Sequence, residues 1–178
     1  ITHFHIHAID AARINGQLFF CTAGIGFDAL IGHLFNHGDR RGISTYISLS
    51  TRRFLQYRPQ EYVIRTDGHA CTRKAFLITF ANASQWGNNA YIAPLARCSD
   101  GQLDIVVWKD FPRLAAPFML PLLFTKTIHM APFVETFHGR HITVERPRED
   151  YVHFDGESCH MGKILDVEVL PLALKVLV

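Results

Sequence analysis

Two carboxylates and a hydroxyl stand close together in His153-Phe154-Asp155-Gly156-Glu157-Ser158, and they are the residues best suited to acid–base chemistry. Neighbouring carboxylates push each other's protonation equilibria apart, which leaves one able to accept a proton from a substrate hydroxyl. An ordinary Asp-Gly turn followed by an exposed Glu produces the same pattern without chemistry. A second constellation is Arg97-Cys98-Ser99-Asp100-Gly101-Gln102-Leu103-Asp104. Here Asp100 and Asp104, with carbonyls exposed by a turn at Gly101, offer the oxygen ligands that a hard cation such as Mg²⁺ prefers, or again only turn the chain. The glycines of Thr22-Ala23-Gly24-Ile25-Gly26-Phe27-Asp28 fall between an apolar strand and a helix, where phosphate loops are built. Ala29 stands where the full dinucleotide fingerprint needs a third glycine, so close backbone packing is the expectation. Asn82, Asn88 and Asn89, with Trp86 and Gly87, form a polar loop that either lines a pocket or turns the chain.

The remaining reactive residue types point to little. Of the 11 histidines, His3, His5 and His7 share one strand face and His33 with His37 has the spacing of helical ligands, but no Glu follows His33 as the H-E-x-x-H arrangement requires. Cys21, Cys71, Cys98 and Cys159 are far apart and form no C-x-x-C pair, which argues against a zinc cluster or a disulfide framework and suits a reducing cytoplasm. There is no Gly-x-Ser-x-Gly elbow.

The elements that position these groups are mostly strands. Alternating patterns recur over His3 to Ile9, Leu18 to Thr22, Glu61 to Thr66, Lys74 to Ala81, Leu103 to Lys109, His141 to Glu145, Tyr151 to Phe154, Leu165 to Leu170 and Leu174 to Val178. Asn15-Gly16, Asp67-Gly68, Asp100-Gly101, His138-Gly139 and Asp155-Gly156 separate them as turns. Most connections are too short for the crossovers of a parallel sheet, so the fold is expected to be mainly β and antiparallel. Helical spacing interrupts the pattern twice: a helical pair at about 28–55 (Asp28 to Phe35, Ile43 to Leu55) and a further helical segment at about 113–128, where Pro117 and Pro121 should kink or interrupt it. This last segment is the most apolar of the chain, and it is either core or a surface that meets acyl chains or a membrane interface.

The 178 residues, 48% of them apolar, suffice for one domain with a sizeable core. Lys plus Arg number 18 against 16 for Asp plus Glu, so no strong field recommends a nucleic-acid partner. No apolar run reaches the roughly 18 residues of a membrane-spanning helix. The chain opens in mid-strand without Met, and the expectation is an excised piece of a longer protein. Exposed strand edges would permit a homodimer without demanding one.

Five blocks in order carry a resemblance. Asn15 to Ala29 (NGQLFFCTAGIGFDA), Asn82 to Pro94 (NASQWGNNAYIAP), Ser99 to Val107, Phe154 to Glu157 and Leu170 to Val178 resemble the corresponding stretches of bacterial diacylglycerol kinase-like and sphingosine kinase-like lipid kinases, within the NAD kinase/diacylglycerol kinase-like superfamily. The resemblance implies the C-terminal β-sandwich of a two-domain enzyme whose N-terminal nucleotide-binding domain, with its Gly-Gly-Asp-Gly-Thr loop for ATP phosphates, lies outside this chain. It implies ATP and Mg²⁺ as cofactors, a lipid substrate, and a cytoplasmic location, peripheral at the membrane if the apolar segment docks there. Carried over by position, the catalytic base falls on Glu157 with Asp155 beside it. A structural Mg²⁺ falls on the Asp100 carboxylate and the main-chain oxygens of Arg97 and Gln102, where Gln102 replaces the usual apolar residue. A non-catalytic lipid-binding module and an NAD kinase-like enzyme are the competing readings.

Overall fold

The computed structural model describes residues 5–36 and 43–177. Strands β1 (Ile6–Ile14), β2 (Gln17–Phe19) and β3 (Thr22–Gly26) lead into helices α1 (Phe27–Asn36) and α2 (Ile43–Gln56). Then come β4 (Gln60–Thr66), β5 (His69–Ala81), a long loop, β6 (Leu103–Lys109) and α3 (Ala116–Phe124). The chain finishes with β7 (Val134–Gly139), β8 (His141–Glu145), β9 (Asp150–Phe154), β10 (Glu157–Met161) and β11 (Ile164–Leu177). All strand pairings among the described residues are antiparallel.

Strand β5 is the seam that folds one curled sheet into two layers. Its first half pairs with β4, its second half pairs with β3 along the same edge, and β6 takes the other edge. The register slips between Ala75 and Leu77, a bulge that bends the strand where it changes partners. One layer therefore runs β10-β9-β3-β5-β6-β7 and the other β5-β4-β8-β11-β1-β2. This is the antiparallel β-sandwich with a helical pair that was expected.

The period of two in each strand sorts side chains between two cores. On β6, Leu103, Ile105 and Val107 enter the core between the layers with Phe19, Tyr62, Phe80, Val152 and Leu165. The alternate residues Val106 and Trp108 point the other way and join Phe76, Leu77, Phe111, Met119 and Leu123 in a second core outside the first layer, covered by α3. An outer sheet face this apolar must be covered, which is why the greasy segment packs here.

Several details differ from expectation. The strand expected over His3 to Ile9 runs on to Ile14, and the one expected over Leu18 to Thr22 is broken at Phe20-Cys21 into β2 and β3. β7 and β10 were not foreseen, because Glu135, His138, Ser158 and His160 break the hydrophobic alternation. His138-Gly139 is not a hairpin turn: β7 belongs to one layer and β8 to the other, and the chain crosses so close to Thr66 that a side chain at Gly139 would collide with its Oγ1. The stretches 165–170 and 174–177 form one strand, with Leu172 at φ +51° where the facing β1 slips register between Ile9 and Ala11. The helical segment at 113–128 appears as a 3-10 turn, a short α3 with Pro121 inside, and a second 3-10 turn, as its prolines require. His3, His37 and Val178 lie outside the described residues.

Candidate functional site

Hairpin β9–β10 presents the carboxylate pair. Asp155 (φ +46°) and Gly156 (φ +88°) form a two-residue turn with both φ values positive, the geometry that matches strand twist and favours Asp-Gly. The Asp155 carboxylate accepts the main-chain N–H groups of Phe20 at 2.6 Å, Cys21 at 2.9 Å and Thr22 at 3.0 Å, and its own N–H donates to the Thr22 carbonyl. This carboxylate is thus committed to pinning the hairpin tip to the corner between β2 and β3. Burial of the neighbouring Cys21 thiol and the Asp155 charge together push that thiol's pKa up.

Glu157, exposed like Asp155, differs in having no such engagement. Among the described residues its carboxylate has no partner. Its cross-strand neighbour is Phe154, whereas Ser158 lies opposite His153, so Glu157 and His153 occupy opposite faces of the hairpin.

On the His153 face lies a largely buried pair that sequence reasoning missed. His153 Nε2 is 2.8 Å from Asp28 Oδ2, with the two side chains only 12% and 14% exposed. Gly24, paired on both sides within the sheet, makes room for this contact: a Cβ there would sit 2.5 Å from His153 Nε2 and 2.7 Å from Asp28 Oδ2. Gly26, at φ +101°, would likewise press a Cβ to 2.6 Å from the Phe76 carbonyl. These glycines serve close packing, as expected of them. Further along α1, His33 stacks on Tyr151 with ring centroids 3.8 Å apart, and Asn36 donates to the Gly156 carbonyl. The signal available in the sequence was the position of Asp28 in the first turn of a helix that follows the Gly24-Ile25-Gly26 strand, but its partner is 125 residues away.

Asn82 joins this site to the 97–102 loop. Fully buried, it donates through Nδ2 to the carbonyls of Phe20 and Asp10, at 2.7 and 2.9 Å. Asp10, also fully buried, accepts the N–H groups of Gly101 at 2.8 Å and Leu172 at 2.7 Å. Asp10 was not singled out in the sequence, where it falls just past the strand expected over His3 to Ile9. The structure thereby brings Asp155 and the Asp100 turn into one hydrogen-bonded framework. Asp100 is exposed and, among the described residues, accepts only the Gln102 N–H, at 3.1 Å, while Arg97 is exposed and Gln102 half-buried. One carboxylate with main-chain oxygens is a donor set that suits a hard cation. Burial raises the Asp104 carboxyl; His138 at 3.6 Å opposes the rise and the Asp100 charge adds to it. A cation beside Asp100 would relieve that crowding. Among the described residues no cluster of His, Cys, Asp and Glu alone could hold a metal ion.

Two cavities share walls beside the Asp28–His153 pair. A polar cleft of about 350 Å³ is lined by Cys21, Thr22, Asp28, Trp86, His153, Asp155 and Gly156. An apolar cavity of about 380 Å³ runs beneath the helices, walled by Phe27, Ile31, Phe54, Phe76, Trp108 and Leu123 among others. Asp28 and Trp86 line both. Of the polar loop, then, Trp86 reaches the pocket, while Asn82 is a strut and Asn88 and Asn89 are exposed at positive φ.

A two-layer antiparallel sandwich with an apolar cavity adjoining a carboxylate-lined cleft is the class of architecture these residues define. Residues 21–178 match the model of the YegS C-terminal NAD kinase beta sandwich-like domain, and the chain belongs to that family. It is 27% identical over 175 residues, 97% of the chain, to a protein of Shewanella frigidimarina named "Probable lipid kinase YegS-like", and 29% identical over 181 residues, 95% of the chain, to a diacylglycerol kinase of Mycobacterium tuberculosis. It spans 56% of the length of each of these relatives. The solved structure of a diacylglycerol kinase from Bacillus anthracis shares the fold, with a TM-score of 0.65 at 21% identity over 96% of this chain and 53% of that one. The relatives are thus named as kinases, and this chain corresponds to part of each.

Proposed function

We propose that the chain is the acceptor-binding and base-supplying part of an ATP-dependent lipid kinase. The observation that carries this reading is the junction at Asp28 and Trp86, where a cavity suited to an acyl chain adjoins a cleft suited to a hydroxyl. An acyl chain lies beneath the helices and the hydroxyl it carries emerges beside the hairpin tip. Glu157, unpaired, one residue past the cleft wall at Gly156 and on the hairpin face opposite His153, takes the proton of a hydroxyl that reaches round the hairpin tip, as that oxygen attacks the γ-phosphorus of ATP and ADP leaves. Asp155 holds the turn that presents Glu157. The chain forms a single domain over 1–178, and ATP is bound mainly by an N-terminal nucleotide-binding domain of the same polypeptide; the shorter span of this chain relative to its relatives supports that division. Asp100 with the main-chain oxygens of Arg97 and Gln102 would hold Mg²⁺, which supplies positive charge next to Asp100 and Asp104.

No helix among the described residues is long and apolar enough to cross a membrane. The α3 region nevertheless leaves Leu114, Phe118, Phe124 and Met130 exposed at 86%, 79%, 61% and 73%. From Phe111 to Val134 there is no acidic residue, while Arg113, Lys126 and His129 are present. Apolar side chains fringed by cations match an anionic bilayer surface, and α3 lines the apolar cavity through Ala116, Leu120 and Leu123. The same helix therefore docks at the membrane and receives the lipid from it.

The test is transfer from radiolabelled ATP by the intact protein to a panel of lipid alcohols and to NAD. Phosphorylation of a lipid and not of NAD is expected. Transfer to NAD alone, or to no acceptor, would refute the reading.

A further inference from the structure

Helix α1 turns two neighbouring faces to two different parts of the molecule. Phe27 and Ile31, one turn apart, line the apolar cavity. Asp28, Gly32 and Asn36 follow at i, i+4 and i+8 along the next face, and that face lies against hairpin β9–β10. Asp28 Oδ2 meets His153 Nε2 at 2.8 Å, and His33, beside this row, stacks on Tyr151 at 3.8 Å with the rings 15° from parallel. Ser158 Oγ stands 3.5 Å from His33 Nδ1, and Asn36 Nδ2 donates to the Gly156 carbonyl at 2.9 Å. Tyr151 and His153 are two residues apart on β9 and Ser158 lies opposite His153, so these three share the hairpin face turned toward the helix. Glu157, opposite Phe154, is on the other face.

The Asn36 contact is therefore of a different kind from the rest. Because Glu157 stands on the face away from α1, the helix reaches it only through the main chain, and the carbonyl that Asn36 holds belongs to the peptide that carries the Glu157 nitrogen. Gly156 has φ +88° and open space where a Cβ would stand, so no side chain of its own restrains that peptide. Asp155 fixes the start of the turn through the N–H groups of Phe20, Cys21 and Thr22, and Asn36 fixes its end. A hydrogen bond between two exposed partners adds little to stability. Its effect here is on direction, since the tilt of the Gly156–Glu157 peptide sets where the Glu157 side chain leaves the backbone.

We propose that Asn36 is a positioning residue for phosphoryl transfer: from the last turn of α1 it holds the Gly156–Glu157 peptide and so aims the Glu157 carboxylate at the acceptor hydroxyl. This rests on the assignment of Glu157 as the base and adds the group that orients it. Asp28 and His33 act one step further back, by fixing on the hairpin the helix from which Asn36 reaches. Aim matters because a misplacement of about 1 Å between reacting groups can cost on the order of 10²-fold in rate.

The test uses the intact protein and its lipid phosphorylation. Asn36→Ala should lower kcat by about 10- to 100-fold while KM for ATP stays unchanged, which a general loss of folding would not produce. Asn36→Gln keeps a donor amide on a longer arm and should regain part of the loss, whereas Asn36→Asp has the size of Asn but cannot donate to a carbonyl and should not. A residue that acts through Glu157 has nothing left to aim once the base is gone, so adding Asn36→Ala to Glu157→Gln should cost less than about twofold more. Wild-type kcat in Asn36→Ala, equal recovery by Asp and Gln, or full multiplication of the two losses would each overturn the proposal. Amide hydrogen exchange reads the contact without catalysis: it should quicken at residues 155–158 in Asn36→Ala and slow again in Asn36→Gln, and unchanged exchange would refute the contact. Quickened exchange together with normal turnover by Glu157→Gln would overturn the proposal by another route, through the base assignment and not through the contact.

Discussion

Neutralising Asp155 and neutralising Glu157 should damage the protein in different ways, though the two carboxylates are separated by one glycine. Asp155→Asn keeps the side-chain shape, and Asn accepts a φ of +46° as readily as Asp does, so the turn itself survives. What changes is the partner of three N–H groups. If the amide oxygen keeps the Oδ1 position, it still accepts from Cys21 and Thr22, but without charge, and the amide nitrogen then confronts the Phe20 N–H across 2.6 Å. Losing one hydrogen bond to a charged acceptor and weakening two more sums to about 2–3 kcal/mol, given that Phe20 and Cys21 are open to water. For a domain of this size that is a fall in Tm of roughly 5–10 °C. Glu157→Gln removes an exposed, unpaired charge and should change stability by no more than about 0.5 kcal/mol. It should lower phosphoryl transfer by about 10²- to 10⁴-fold at unchanged ATP affinity. Thermal and urea denaturation beside a radiolabelled transfer assay on the intact protein would measure both. An Asp155→Asn variant that melts with the wild type would refute the pinning role. Normal turnover by Glu157→Gln would place the base elsewhere, with the Asp28–His153 pair next in line.

Three further outcomes are expected. Gly24→Ala drives a methyl into the Asp28–His153 contact, and it should cost about 1–3 kcal/mol in urea unfolding and displace the His153 imidazole signals in NMR; an unchanged midpoint would mean the contact is looser than 2.8 Å. Because burial raises the Asp104 carboxyl, the native state holds that proton more firmly than the unfolded chain does, so the stability this provides is greatest at low pH and is lost as pH rises through the raised native value. Asp104→Asn should accordingly melt higher than the wild type at neutral pH, with the gap closing toward about pH 4, and a gap that widens on acidification would reverse the assignment. Replacing Leu114 and Phe118 together by Glu should reduce co-sedimentation with anionic vesicles by at least about tenfold, since each loses roughly 1.5–3 kcal/mol of apolar burial; undiminished binding would exclude α3 as the docking surface.

The strands and helices were legible because their signals are local. Alternation located β4, β5, β6, β8 and β9, and the Asp-Gly and Asn-Gly dipeptides located their turns. Edge strands β7 and β10 were not legible, because an edge strand with one wet face needs no clean alternation. The candidate site was legible only in part, and for the same reason. Asp155 and Glu157 declare themselves by adjacency, yet adjacency says nothing about which one the fold consumes, and Asp155 is engaged by a corner 133 to 135 residues away. Asp10 and His153 act through partners 91 to 162 residues distant, so no window on the sequence contains both ends of either contact.

The cavity follows from the same strand alternation that builds the sandwich. A two-layer sandwich ordinarily turns polar residues outward, but β5 and β6 carry Leu77, Val106 and Trp108 on the outer face where water would otherwise lie. Helices α1, α2 and α3 cover that face without filling it, and about 380 Å³ remains open among aromatic rings. An apolar groove of that size leaves aromatic surface to water, and covering it is favourable. A ligand that is hydrocarbon along its length supplies that cover, on the face of the sheet that also carries the Asp28–His153 pair.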